Sequence, residues 1–150
     1  RLVTRARSSD DPARDITQVP IETTALVDAP LVPELPQGTP GEAAIVRELP
    51  GRIEVRTECP TRQLLVVSES YHPGWQLQVD GRPQAQGVLR ADGDFLGCVV
   101  QPGRHDVVLE FRPRSLRDGA IISCLGLGLV VLCFTGVVTP NVLSAVWRRM

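Results

Sequence analysis

His72 and His105 are the two side chains of this chain whose ordinary titration falls near neutral pH, so general acid–base chemistry would start from them. Glu69, Asp80, Asp92, Asp94 and Glu110 are acidic residues that could orient such a base. Asp80 and Asp92 each precede a glycine, however, and Asp-Gly is the dipeptide a tight hairpin turn calls for. Asp106 and Glu110 fall on the polar side of an alternating segment. No paired carboxylates, serine–histidine–aspartate spacing or phosphate-cradling glycine loop occurs. Catalysis by these 150 residues is therefore not expected. With no Cys-x-x-Cys and two histidines, neither a zinc site nor another cofactor is expected.

Binding chemistry concentrates in SESYHPGWQLQVDGRP, residues 68–83. Tyr71, His72 and Trp75 surround a Pro-Gly turn and could stack on a sugar ring, which makes them candidate glycan contacts. A competing reading makes Trp75 the core anchor of a small β domain, with Pro73-Gly74 shaping the loop. On that reading Trp75→Ala costs about 3–5 kcal/mol. Cys59 and Cys98 are the cysteines outside the apolar C-terminal run. They could pair in an oxidising compartment, but spacing along the chain does not say whether their Cα atoms come within bridging distance.

The elements that position these residues are strands. In RIEVRTEC, Ile53, Val55, Thr57 and Cys59 alternate with Arg52, Glu54, Arg56 and Glu58, the pattern of a strand with one buried and one wet face. LLVVSES, residues 64–70, is more continuously apolar, as a central strand would be. Trp75, Leu77 and Val79 alternate with Gln76, Gln78 and Asp80, and His105, Val107, Leu109 and Phe111 alternate with Asp106, Val108 and Glu110. Asp80-Gly81, Asp92-Gly93 and Pro102-Gly103 punctuate these runs at intervals of about ten residues, which fits an antiparallel meander. The expected fold class is all-β. An antiparallel β-sandwich of six to eight short strands occupies residues 43–115, with no helix before residue 115. Residues 1–42 read as an extended arm, because prolines at 30, 33, 36 and 40 block both helix and ladder. Ile21, Leu26, Val27, Leu31 and Val32 imply that part of it lies along a folded surface.

Between Asp118 and Arg148 no residue carries a charge. Gly119 to Val138 alone is long enough to cross a bilayer, which takes about 20 apolar residues, so residues 119–139 are expected to form one transmembrane helix. Gly119, Ser123, Gly126, Gly128 and Gly136 would let a second helix approach closely, although glycine is common in membrane helices anyway. Pro140 is expected to end or kink the helix. Trp147, Arg148 and Arg149 suit the headgroup level in a tail at residues 140–150. Arg112, Arg114 and Arg117 flank the other end, so flank charge leaves orientation tied. Sixteen basic against seventeen acidic residues give a net charge of −1, which argues against a nucleic-acid surface. The chain starts with Arg1 and shows no apolar segment before residue 119, so it reads as the C-terminal piece of something longer.

Taken in order, Leu64–Leu65, Pro73–Trp75, Val79–Gly81, Phe95–Val99, Pro102–His105 with Val107, Arg112–Ser115 and Gly119–Ser123 resemble the C-terminal end of the YfhO-like bacterial membrane proteins. The likeness covers about residues 60–130 and is specific as an ordered set, though each piece alone is common. One departure is Phe111-Arg112-Pro113, where the family often places tyrosine before the proline. The resemblance implies a many-spanned parent with a glycosyltransferase-C-like body, linked to sugar transfer from lipid-linked donors onto cell-envelope polymers. The family's catalytic acidic residues belong to N-terminal loops absent from this chain, so none is carried over. It also implies a β domain outside the cytoplasm and a cytoplasmic C-terminus in the bacterial plasma membrane. The implied partners are the lipid bilayer, other transmembrane helices of the same parent and envelope glycan. The alternative is a membrane-anchored β-sandwich module that binds glycan or protein. A hydrolase using His72 or His105 would require activity lost on alanine substitution of either.

Overall fold

The computed structural model describes residues 1–28 and 34–147, with side chains described for all of these except 117 and 136–147. It divides into two units, Arg1–Arg112 and Pro113–Met150. The first is a β-sandwich. In chain order its strands are β1 (Leu2–Val3), β2 (Arg5–Ser8), β3 (Thr24–Val27), β4 (Glu42–Leu49), β5 (Arg52–Cys59), β6 (Gln63–Ser70), β7 (Trp75–Val79), β8 (Arg82–Pro83), β9 (Leu89–Ala91), β10 (Phe95–Val100) and β11 (Gly103–Phe111). One sheet runs β1-β6-β10-β9-β3-β2 and the other β4-β5-β11-β7-β8. Every pairing is antiparallel except β2 with β3.

Alternation along the strands builds the core. Ile53, Val55 and Cys59 of β5 and Val107 and Leu109 of β11 meet Leu65 of β6 and Leu96, Cys98 and Val100 of β10 between the sheets. Burying these faces removes apolar surface from water at about 25 cal/mol per Å², the main drive to fold. The continuous apolar run in β6 has a direct cause: Leu65 faces the inter-sheet core, while Leu64 and Val66 face a second cluster on the opposite side of the same sheet. Both hairpin turns have the geometry their dipeptides require. Asp80 and Gly81 sit at φ 51° and 73°, and Asp92 and Gly93 at 50° and 92°.

Two expectations for the first 42 residues are corrected. Residues 2–27 are no free arm, for β1, β2 and β3 belong to the larger sheet, and Leu26 and Val27 are buried. These strands are only two to four residues long, too short to display a period of two, and the parallel β2–β3 pairing carries no hairpin signal. Ile21 is exposed, and Leu31 and Val32 lie outside the described residues. A one-turn helix, α1 (Pro12–Asp15), also precedes residue 115; the Asp11 side chain caps it by accepting from the Arg14 N–H, and proline opens it. From residue 42 to Phe111 the described chain forms eight strands, at the upper end of the expected range.

Where residues 34–41 pass the sheet edge, a buried amide holds them. Gln63 Oε1 accepts from the Gly41 N–H at 2.9 Å, and Nε2 donates to the Thr39 carbonyl at 2.8 Å. Gly41 admits no side chain there, because a Cβ would stand 2.3 Å from the Glu58 carbonyl oxygen.

The second unit is one helix, α2 (Arg114–Trp147). It begins five residues before the apolar run and continues beyond Pro140, which therefore does not end it. Residues Arg114–Thr135 form a 22-residue candidate membrane span with none of its apolar window buried. At a rise of about 1.5 Å per residue that is about 33 Å, close to the thickness of a hydrocarbon core. Arg148 and Arg149 lie outside the described residues.

Candidate functional site

At the end of β11 that leads toward Pro113, the candidate glycan contacts divide. His72 and Trp75 converge on Phe111, a residue not singled out for binding in the sequence. The His72 ring meets Phe111 edge-on at 5.2 Å, and the Trp75 indole lies at 5.3 Å with a 51° tilt. Register explains the meeting, since Phe111 is paired with Trp75 across β11 and β7. Tyr71 goes elsewhere. Its N–H donates to the Asp94 carbonyl at 2.7 Å and its ring packs on the inter-sheet core. Trp75 is half-buried against that core, and its Nε1–H donates to the Ser70 carbonyl at 3.1 Å. His72 Nδ1 accepts from the Gly74 N–H at 2.9 Å, so the histidine pins the Pro73-Gly74 turn and presents its remaining nitrogen outward. The arrangement offers one exposed imidazole and part of an indole face to a ligand.

At the other end of β11, the second histidine does find an acid. His105 Nδ1 is 2.7 Å from Asp80 Oδ2, and Nε2 is 3.3 Å from the Pro102 carbonyl oxygen. Carboxylate and carbonyl only accept, so both contacts are hydrogen bonds when both ring nitrogens carry protons. The imidazolium thus ties the Asp80-Gly81 turn to the Pro102-Gly103 turn. Asp80 Oδ1 adds a bond from the Asp106 N–H at 3.0 Å. The pair borders a cleft of about 470 Å³ with Leu77, Val79 and Val99 beneath and the amides of Gln84, Gln86 and Gln101 beside it. Chemically this is a structural ion pair beside a polar surface cleft.

The hydrogen bond to Asp80 raises the His105 pKa above its ordinary 6.5, with burial opposing, and the bond from His105 lowers Asp80 below 3.8. Stabilisation by His105 is fully present below about pH 6.5 and is lost as pH rises through its elevated folded value. Stabilisation by Asp80 is present above about pH 4 and is lost as pH falls through its depressed folded value. The thermal midpoint is expected to decline from pH 6 to pH 8.5, and His105→Gln to remove most of that decline. An unchanged slope in the variant would place the titration elsewhere.

Asp92 proves to be more than a turn residue. Its carboxylate is 1% exposed and is paired with the Arg1 guanidinium. Oδ1 also accepts from the Leu26 N–H at 2.8 Å, while the Asp92 N–H donates to the Leu26 carbonyl at 2.7 Å. No sequence signal joins residues 1, 26 and 92. The sequence did hold a signal for Asp80 and His105, since Asp80-Gly81 ends β7 and Pro102-Gly103 starts β11, its antiparallel neighbour. Asp94 contacts Arg90 at 3.4 Å and Glu110 contacts Arg112 at 2.9 Å, both on the surface, where such pairs contribute little. Cys59 and Cys98 are free thiols on opposite sheets, both buried in the inter-sheet core. Burial raises both, Cys98 to about 12.

Comparison with known proteins places this geometry in context. The family described as bacterial membrane protein YfhO matches residues 45–123, from β4 into α2. An uncharacterized protein YfhO of Bacillus subtilis (strain 168) is 32% identical over 69 residues, which are 46% of this chain and 8% of that protein. The chain thus spans a small part of the curated relative it matches. No solved structure matches the chain.

Proposed function

Because the chain belongs to the YfhO family of bacterial membrane proteins, we propose that it is the non-catalytic β domain and last membrane helix of a multi-span parent. One observation carries this reading. The family match covers residues 45–123, so it extends from the sandwich past Pro113 into the first residues of the apolar run, which supports reading the two together. In this reading the β domain at residues 43–115 lies outside the cytoplasm, together with the strands that residues 1–42 add to it. Residues 119–139 cross the bilayer among the parent's other helices, and residues 140–150 face the cytoplasm. The parent transfers sugars from lipid-linked donors in cell-envelope glycan modification, and this domain braces its body or holds the acceptor glycan.

Orientation is tested by accessibility. Arg104→Cys, on an exposed side chain, is expected to react with a membrane-impermeant maleimide in intact cells. Reaction only after permeabilisation would invert the topology. The glycan role is tested at the exposed imidazole. His72→Ala is expected to shift stability by less than about 1 kcal/mol, the scale of a turn hydrogen bond. It should nonetheless weaken retention of the parent's glycan acceptor if His72 and Trp75 form the contact. Trp75→Ala is expected to cost about 2 kcal/mol, less than a fully buried ring, because part of the indole is already wet.

The cleft beside Asp80 and His105 favours a second reading, a membrane-anchored module that binds glycan or protein through amides and an ion pair. The sequence upstream of Arg1 tests the two: around ten hydrophobic segments there would favour the multi-span parent, and a signal peptide immediately upstream the module.

A further inference from the structure

The two sheets do not close over one another along the β4 and β6 side. There the smaller sheet ends in β4, an eight-residue edge strand on which Ile45 is 58% exposed and Val46 53% exposed. Facing it, the larger sheet continues past β6 only as β1, two residues long. Between them lies a groove of about 310 Å³ in which Ile45, Ile53, Val55, Leu65 and Val67 supply apolar lining and Arg1, Glu48, Ser68 and Glu69 the polar part. A groove with an apolar floor along a free strand edge is a site for an added strand.

We propose that this groove is filled by the parent's own polypeptide upstream of Arg1, which prolongs β1 antiparallel to β6. The inference rests on the reading above, in which the domain is part of a much longer chain, as the 8% coverage of the curated relative supports. The ladder itself sets the register. Leu2 is paired with Leu65 and Val3 with Leu64. Arg1 and Val66 exchange both hydrogen bonds, each 2.8 Å. In an antiparallel ladder such pairs alternate with non-bonded ones. The residue before Arg1 therefore stands opposite Val67 without bonds, and the one before that reaches Ser68, where β6 shifts register against β10. Side-chain direction follows from the period of two. Leu2 faces the inter-sheet core and Val3 the opposite side, so the residue before Arg1, opposite Val67, points into the groove on the side of Ile45. That position is apolar in the parent.

The path has a topological consequence. Strand β1 extended upstream runs from Val66 toward Ser70, the end at which the Trp75 indole meets Ser70 and Phe111 closes β11. The domain is then joined to its parent at one end by two covalent links, the upstream strand and Arg112–Pro113.

Cysteine pairs in the full-length parent, in detergent with its native cysteines replaced, test this directly. A cysteine at the residue before Arg1 with Val67→Cys occupies a non-bonded antiparallel pair, whose short Cα separation suits a disulfide. Copper-catalysed oxidation is expected to give an intramolecular crosslink with Val67→Cys at least fivefold faster than with Ser68→Cys, which points to the other face. Equal rates, no crosslink, or a crosslink between two copies would overturn the proposal. A variant that fails to fold is bypassed by hydrogen exchange on the unmodified parent, in which the Ser68 amide is expected to be protected at least tenfold relative to a chain starting at Arg1. Equal exchange would also overturn it. Neither readout depends on which side of the membrane the domain occupies, so the inward labelling result that would sink the topology leaves this test intact.

Discussion

Asp92→Ala is expected to destabilise the β domain by about 3 kcal/mol, measured as the shift in denaturant or thermal unfolding of the detergent-solubilised chain. Three effects combine. The Leu26 N–H loses its acceptor inside the sheet, which costs about 1–3 kcal/mol for a buried donor. The Arg1 guanidinium, 34% exposed on its side chain, loses the carboxylate that neutralises it. Alanine must also hold φ near 50°, a left-handed conformation that aspartate and asparagine tolerate better. Asp92→Asn separates these effects, since it keeps an acceptor for Leu26 and the tolerance of positive φ while removing the charge. Its expected cost is about 1.5 kcal/mol, the low end for one hydrogen bond to a charged group. If both variants cost the same, the ion pair to Arg1 rather than the contact with Leu26 is the larger contribution of Asp92.

Gln63→Leu should cost about 3 kcal/mol by the same measurement. The volume change is small, so packing is not the cause. Gln63 is fully buried and satisfies the Gly41 N–H and the Thr39 carbonyl at once. Leucine leaves both polar groups without partners beside Cys59 and Glu58, where Gly41 already lies too close to backbone for anything to move. Local hydrogen exchange adds a second readout, with amides of residues 38–42 expected to exchange faster than those of β11. A variant as stable as the native chain would mean that the 34–41 segment is held by Leu35 on the outer cluster instead.

Much of the site's scaffold was legible because its causes are local. The alternation of Ile53, Val55, Thr57 and Cys59 states which face of β5 is buried, and the structure buries all four. Asp80-Gly81 and Asp92-Gly93 state where the backbone must take positive φ. An uncharged stretch longer than a bilayer is thick states the class of environment α2 needs. The glycan candidates were less legible. Spacing grouped Tyr71 with His72 and Trp75, yet only cross-strand register could show that Phe111 takes Tyr71's place beside them.

Local chemistry by itself thus determined the strands from residue 42 onward, their turns, and an apolar helix at the C-terminal side. Side-chain period, turn dihedrals and hydropathy are properties of neighbours along the chain. Tertiary structure alone decided that residues 2–27 complete a sheet, that Asp92 binds Arg1 and Leu26, and that His105 reaches Asp80. Those are contacts between residues 19 to 91 positions apart, set by how two twisted sheets bury a common core, and no short window of sequence contains them.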